Sequence, residues 1–182
     1  MTLGGQYDWT KKVYPDEDPP PFPSDVGDLL RRFFPETRAQ AAILNLYSPG
    51  DTLSLHRDVS EESEKGLISI SIGCDAIFIV GLEHGVPNGT DPGESAARRD
   101  VQHVAIRLRS GDAVYMSGAA RFAWHGVPRI IPGSCPDWLK EWPAQPCSAD
   151  GQVDDFEAWR GWMGGKRINL NVRQMFDDET ES

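Results

Sequence analysis

The chain has 182 residues, enough for one domain with a substantial core, and its 39% hydrophobic and 9% aromatic content excludes a disordered chain. A formal charge of −10 and a pI near 4.8 argue against tight binding of long duplex DNA, which normally takes a basic stripe that displaces counterions. No apolar run approaches the roughly 20 residues that span a bilayer, and Met1 to Gly5 lack the basic and apolar regions of a secretory signal.

Residues 15–23, dominated by proline and acid, predict an extended loop. Ser24 then stands as N-cap of a helix with Val26, Leu29, Leu30 and Phe33 on one side, stopped at Pro35. Strand patterns follow at 42–47, 53–56, 67–72, 76–80, 104–108 and 113–116, with another near 124–131 and the last at 167–174. Short strands with glycine-rich turns predict a mainly β fold with flanking helices, and a double-stranded β-helix, or jelly roll, accommodates the count. Two segments interrupt the pattern. Residues 84–103, rich in Gly, Pro, Arg and Asp, predict a mobile loop. Residues 132–166 predict an insertion with helix-like pieces at Trp138/Trp142 and Phe156/Trp159, whose aromatics are expected to pack it onto the barrel. Cys74, Cys135 and Cys147 are an odd, widely spaced set without zinc-knuckle spacing, so reduced thiols and an intracellular setting are expected. Nucleus and cytoplasm both fit, and the mitochondrion stays open.

Two stretches carry chemistry. His56 and Asp58 form an H-x-D pair, and His125 can supply a third ligand. Two histidines and a carboxylate on one face of a metal leave positions open, as in non-heme Fe(II) oxygenases. Zinc hydrolysis is the rival metal chemistry, but it normally needs a nearby general base. The run from Arg167 to Arg173, taken as a strand, sends Arg167, Asn169, Asn171 and Arg173 to one face and Ile168, Leu170 and Val172 to the other. Such a face is either the solvated side of an edge strand or a carboxylate receptor, since arginine binds carboxylates bidentately. Triad and receptor together point to an oxygenase that consumes an organic acid, 2-oxoglutarate above all.

H-R-D at 56–58, the histidine at 125 and R-I-N-L-N-V-R at 167–173 resemble the AlkB family of Fe(II)- and 2-oxoglutarate-dependent dioxygenases, whose pattern is H-x-D, a distant H, then R-x-N-x-x-x-R. Tyr7-Asp8-Trp9-Thr10, Phe22-Pro23-Ser24-Asp25 and the stretch from Ser110 to Arg129 read the same way. The H-x-D-x-S-E form from His56 to Glu61 is most similar to the subgroup of the mammalian first AlkB homologue. The resemblance begins almost at once, which suggests an engineered start within a longer protein. It implies one jelly-roll dioxygenase domain over 1–182. Residues 1–40 would be a lid-like and helical extension, 41–131 and 167–176 the barrel core, and 132–166 the insertion.

It also implies roles. His56, Asp58 and His125 would hold Fe(II), with the remaining positions for 2-oxoglutarate and O2. Asn45, Tyr47, Arg167, Asn169 and Arg173 would bind 2-oxoglutarate, Arg167 on its distal carboxylate and Arg173 nearer Asp58. Trp9 and Tyr14 would belong to a nucleotide-recognition lid, the indole stacking on an extruded base and the phenol reaching a phosphate. Ser60 stands where the bacterial repair enzyme has a second aspartate, so it cannot supply negative charge to a cationic base. The expected activity is oxidative demethylation of N-methylated nucleobases in DNA or RNA, preferring unpaired regions, without a membrane partner. A protein demethylase or hydroxylase acting on histone-like basic chains is the first alternative, favoured by the acidic charge. A catalytically weak binding module is the second.

Overall fold

A computed structural model describes residues 1–8, 10–14, 19–83, 101–144 and 156–177. Trp9, residues 84–100 of the expected loop and Cys147 lie outside the described residues. Nine strands and two short α-helices are assigned there: β1 (Thr2–Gly4), α1 (Ser24–Phe33), β2 (Ala41–Tyr47), β3 (Leu53–His56), β4 (Leu67–Gly73), β5 (Ala76–Glu83), β6 (Val101–Leu108), β7 (Ala113–Met116), β8 (Trp124–Ile130), α2 (Asp137–Lys140) and β9 (Arg167–Arg173). The strands pair antiparallel into a five-stranded sheet, β1-β2-β9-β4-β7, and a four-stranded sheet, β3-β8-β5-β6. This is the expected mainly β jelly roll. No helix among the described residues is long and apolar enough to cross a membrane.

β9 sits at the centre of the larger sheet, and its alternation decides what each face does. Tyr47 and Gly73 flank Arg167, Asn45 and Ser71 flank Asn169, and Ser69 flanks Asn171. Directly opposed residues share a face, so Arg167, Asn169, Asn171, Ser69 and Ser71 form one polar stripe. All five are buried, with Arg167 only 1% exposed, which rules out the solvated edge. The opposite face carries Ala42, Ile68, Ile70, Leu170 and Val172, and α1 covers it. A sandwich normally keeps its apolar residues between the sheets; here the larger sheet turns polar groups inward, which reserves that space for chemistry. The smaller sheet supplies apolar wall, including Phe78, Val127 and Leu53.

β4 and β9 can run this close because Gly73 has φ +93°, and a Cβ there would lie 2.3 Å from the Lys166 carbonyl oxygen. The Cys74 amide donates to that same carbonyl at 2.8 Å.

Several expectations are corrected. β1, absent from the sequence reading, pairs with β2 at Thr2↔Ile43. Residues 101–103, expected in a loop, extend β6. Pro23, not Ser24, caps α1: its carbonyl accepts the Gly27 amide, and no side chain caps the helix. The helix docks through Leu30 and Val26, while Leu29 and Phe33 are 55% and 70% exposed. The insertion also packs differently. Trp138, Trp142, Phe156 and Trp159 are exposed, while Cys135, Leu139, Met163 and half-buried Trp162 make the contacts. The expected helix-like pieces are short, the four-residue α2 and a 3-10 turn at Glu157–Trp159, and α2 ends before Trp142, so i, i+4 spacing does not place Trp138 and Trp142 on a common inward face.

Candidate metal and carboxylate site

His56 and His125 are directly opposed across β3 and β8, and cross-strand partners put both side chains on one face, close together. Their ring centroids lie 4.4 Å apart. Asp58 follows His56 by two residues, so its carboxylate meets the pair. The His56 and His125 Nε2 atoms are 3.6 and 3.9 Å from its oxygens, distances too long for hydrogen bonds. One ligand atom from each of the three lies within 4.8 Å of the others.

Each histidine has its tautomer set in the same way. His56 Nδ1 is 2.9 Å from the Ser54 carbonyl and His125 Nδ1 is 3.0 Å from the Ala123 carbonyl. An Nδ1–H donated to a carbonyl leaves the Nε2 lone pair for a metal. Burial pushes the His125 imidazole below its usual value, which keeps it neutral, as a ligand must be. Two imidazoles and a carboxylate suit Fe(II).

Arg167 is the second half of the site. Its Nη2 donates to Ser71 Oγ at 2.9 Å, and its guanidinium lies 5.4 Å from the Tyr47 ring. Nε and Nη1 are buried with no hydrogen-bond partner. Burial also lowers its pKa. A buried guanidinium with idle donors is costly, and the ligand that resolves it is an anion with a planar fork of acceptors, a carboxylate. His125, Arg167, Asn169 and Asn171 line one cleft with Leu53 and Phe78. The His125 donor and the anion receptor therefore open onto the same space. Asn169 is less free, since its Nδ2 donates to Ser69 Oγ and the Ile70 carbonyl. Half-buried Asn45 stands opposite it on β2.

Arg173 serves Asp58. Its Nη2 donates to Asp58 Oδ2 at 2.9 Å, and its Nη1 to the Tyr14 hydroxyl at 3.1 Å. Burial opposes its charge, but Asp58, Tyr14 and Glu61 outweigh that and raise its pKa. Tyr14 is therefore not where a phosphate contact would need it. It is 9% exposed, its hydroxyl faces Arg173, and its ring meets Tyr7 edge-on at 5.2 Å. Tyr7 in turn reaches Ser60 Oγ at 3.2 Å, which ties the segment before Trp9 to the one after Asp58.

Sequence reasoning missed Glu61 and Arg121. Glu61 entered only as the last letter of the H-x-D-x-S-E form, yet its side chain is 1% exposed between Arg121 and Arg173. An isolated charge in the apolar run 118–127 was the available signal for Arg121.

A model of the 2OG-Fe(II) oxygenase superfamily matches residues 1–173. The chain is 55% identical over 180 residues to the N6-methyladenosine RNA demethylase ALKBH of Cryphonectria parasitica, covering 97% of itself and 75% of that protein. It is 43% identical over 183 residues to the tRNA demethylase abh1 of Schizosaccharomyces pombe, covering 96% of itself and 52% of that relative. A solved structure titled "The structure of OsALKBH1" superposes with a TM-score of 0.68 at 22% identity, covering 96% of this chain and 76% of that one.

Proposed function

The chain belongs to the AlkB branch of the 2OG-Fe(II) oxygenase superfamily, and from that membership we propose that it oxidatively demethylates N-methylated nucleobases, in RNA or DNA. The observation that carries the proposal is the shared cleft. His125, one of three convergent metal donors, lines one space with a buried guanidinium whose Nε and Nη1 have no hydrogen-bond partner among the described residues. His56, Asp58 and His125 would hold Fe(II). Arg167 would take the distal carboxylate of 2-oxoglutarate, with Tyr47, Asn45 and Asn169 along its length. Arg173 would orient Asp58 beside the metal-side carboxylate. With O2, the bound iron and 2-oxoglutarate supply an oxidant able to attack an unactivated methyl C–H bond.

The relatives' names support a nucleic-acid substrate, and the acids near the triad are consistent with a base that is neutral. Ser60 carries no charge, and Glu61 is held by two arginines, so Asp58, itself paired with Arg173, is the carboxylate left at the metal. The chain spans three quarters of one relative and about half of the other, so substrate choice is proposed for this segment alone. Trp9 would stack on the extruded base, and an intracellular site of action accompanies this substrate.

Oligonucleotides carrying N6-methyladenine, together with methylated histone-tail peptides, would be incubated with Fe(II), 2-oxoglutarate and ascorbate, and formaldehyde measured. Release from the oligonucleotides and not the peptides is expected. Release from peptides alone would move the protein to the protein-demethylase alternative, which the charge of −10 favours. Iron-dependent turnover of 2-oxoglutarate without formaldehyde from either substrate would leave the cleft chemistry standing and discard both methyl substrates.

A further inference from the structure

The turn before β8 holds a buried charge that the site described so far does not use. Arg121 has a side chain 2% exposed, placed by a 3-10 turn at Gly118–Ala120 whose Gly118 has φ +54°. All three guanidinium nitrogens are engaged. Nε donates to the Lys65 carbonyl at 2.8 Å, Nη1 to the Asp58 carbonyl at 3.0 Å and Nη2 to Glu61 Oε2 at 3.0 Å. Two of these three partners are main-chain atoms of the segment that follows His56. Arg121 itself lies four residues before His125, on the segment that carries the other histidine.

Glu61 extends the arrangement. Its Oε1 lies 3.2 Å from Arg173 Nε, an ion pair without hydrogen-bond geometry, and Arg173 Nη2 reaches Asp58. Charges therefore alternate through the interior as Arg121, Glu61, Arg173, Asp58. The chain begins on the main chain of Asp58 and ends on its carboxylate. Buried ion pairs are poor stabilisers, since apolar groups of similar volume often do as well or better. Bidentate and forked guanidinium contacts do fix geometry.

We propose that Arg121 is a positioning residue for the metal carboxylate. It fixes the Asp58 backbone against the His125 segment and, through Glu61, sets Arg173 against the Asp58 side chain. The proposal rests on the reading of His56, Asp58 and His125 as the metal ligands. Arg121 touches none of the ligand atoms; it acts through the two segments that carry them. Partners one shell out from a metal typically govern affinity by roughly 10- to 100-fold.

The test is Mn(II) affinity by calorimetry on the apo protein, with thermal melting of each variant recorded. Asp58→Ala, Arg121→Met, Arg121→Lys and the core variant Leu139→Ala would be compared. Asp58→Ala should abolish binding; normal affinity there would sink the metal-site reading itself. With that reading intact, Arg121→Met should weaken Mn(II) by roughly 10- to 100-fold, and beyond any loss in Leu139→Ala at matched melting temperature. Arg121→Lys retains the charge without the three-way fork and should recover only part of the affinity. It also provides the measurement if Arg121→Met does not fold. Wild-type affinity in either Arg121 variant, or a loss no greater than that of Leu139→Ala, would overturn the proposal.

Discussion

Arg167 enters the interior without a carboxylate beside it. Ser71 takes one N–H and the Tyr47 ring covers part of the guanidinium, but Nε and Nη1 stay unsatisfied. The cost of that arrangement falls when an anion binds, so the receptor is preorganised at the expense of apo stability. Arg173 differs, since its charge is already spent on Asp58 and Tyr14. Removing the two arginines should therefore have separable effects. Arg167→Ala is expected to raise the 2-oxoglutarate requirement by about tenfold or more, from loss of a charge-assisted contact worth on the order of 1.5–3 kcal/mol. Its Mn(II) affinity should stay near wild type. Titration of 2-oxoglutarate at saturating iron checks this, and an unchanged titration would remove Arg167 from the receptor. The triad and the two arginines were legible as residue types at given spacings. The partnership of Arg121 with Glu61 was not, because the two are 60 positions apart and meet only when β8 lies beside β3.

Elements were legible where a period coincided with burial. β9 announced itself because its polar and apolar alternation is unbroken over seven residues, and the strand at 53–56 matches β3 end to end. Residues 2–4 were too short to show a period, and their pairing with β2 is a tertiary fact. In α1 the apolar set was legible on one side of the helix, but which part of it turns inward was not. Composition cannot tell which part of a wide apolar face meets the aliphatic side of the larger sheet. The tryptophans of 132–166 misled for a related reason: their size suggested core, while Leu139 and Met163 took the buried positions. α1 turns this into a prediction. Leu30→Ala should cost about 2–5 kcal/mol, because Leu30 is 2% exposed against Ala42, Ile68 and Val172. Phe33→Ala, on the same helix but 70% exposed, should stay within about 0.5 kcal/mol. Urea unfolding of both variants measures the contrast, and a larger cost for Phe33→Ala would mean that α1 docks through its other side.

At the scale of the whole molecule, charge limits the kind of nucleic acid that can reach the cleft. A net −10 repels phosphates. The basic residues near the N-terminal segments, including Lys11, Lys12, Arg31 and Arg38, are few, and Arg31 is paired with Asp28. Lys11 lies 3.9 Å from Asp8. A paired base must leave its stack to enter a site between two sheets, at a cost of a few kcal/mol. Phosphate contacts could offset that cost on a basic surface, but this segment has little such surface. Unpaired, bulged or single-stranded methylated substrates should therefore turn over faster than a perfect duplex of the same sequence. The apparent KM for single strands should depend only weakly on salt, since each phosphate neutralised adds about 0.7 to the logarithmic slope. Trp9→Ala should slow turnover of the single strand while leaving the 2-oxoglutarate titration unchanged. Matched oligonucleotides at several stated salt concentrations, with products identified by mass spectrometry, test all three expectations together. Faster demethylation of the perfect duplex, or a steep salt dependence on single strands, would mean that phosphate attraction governs access after all.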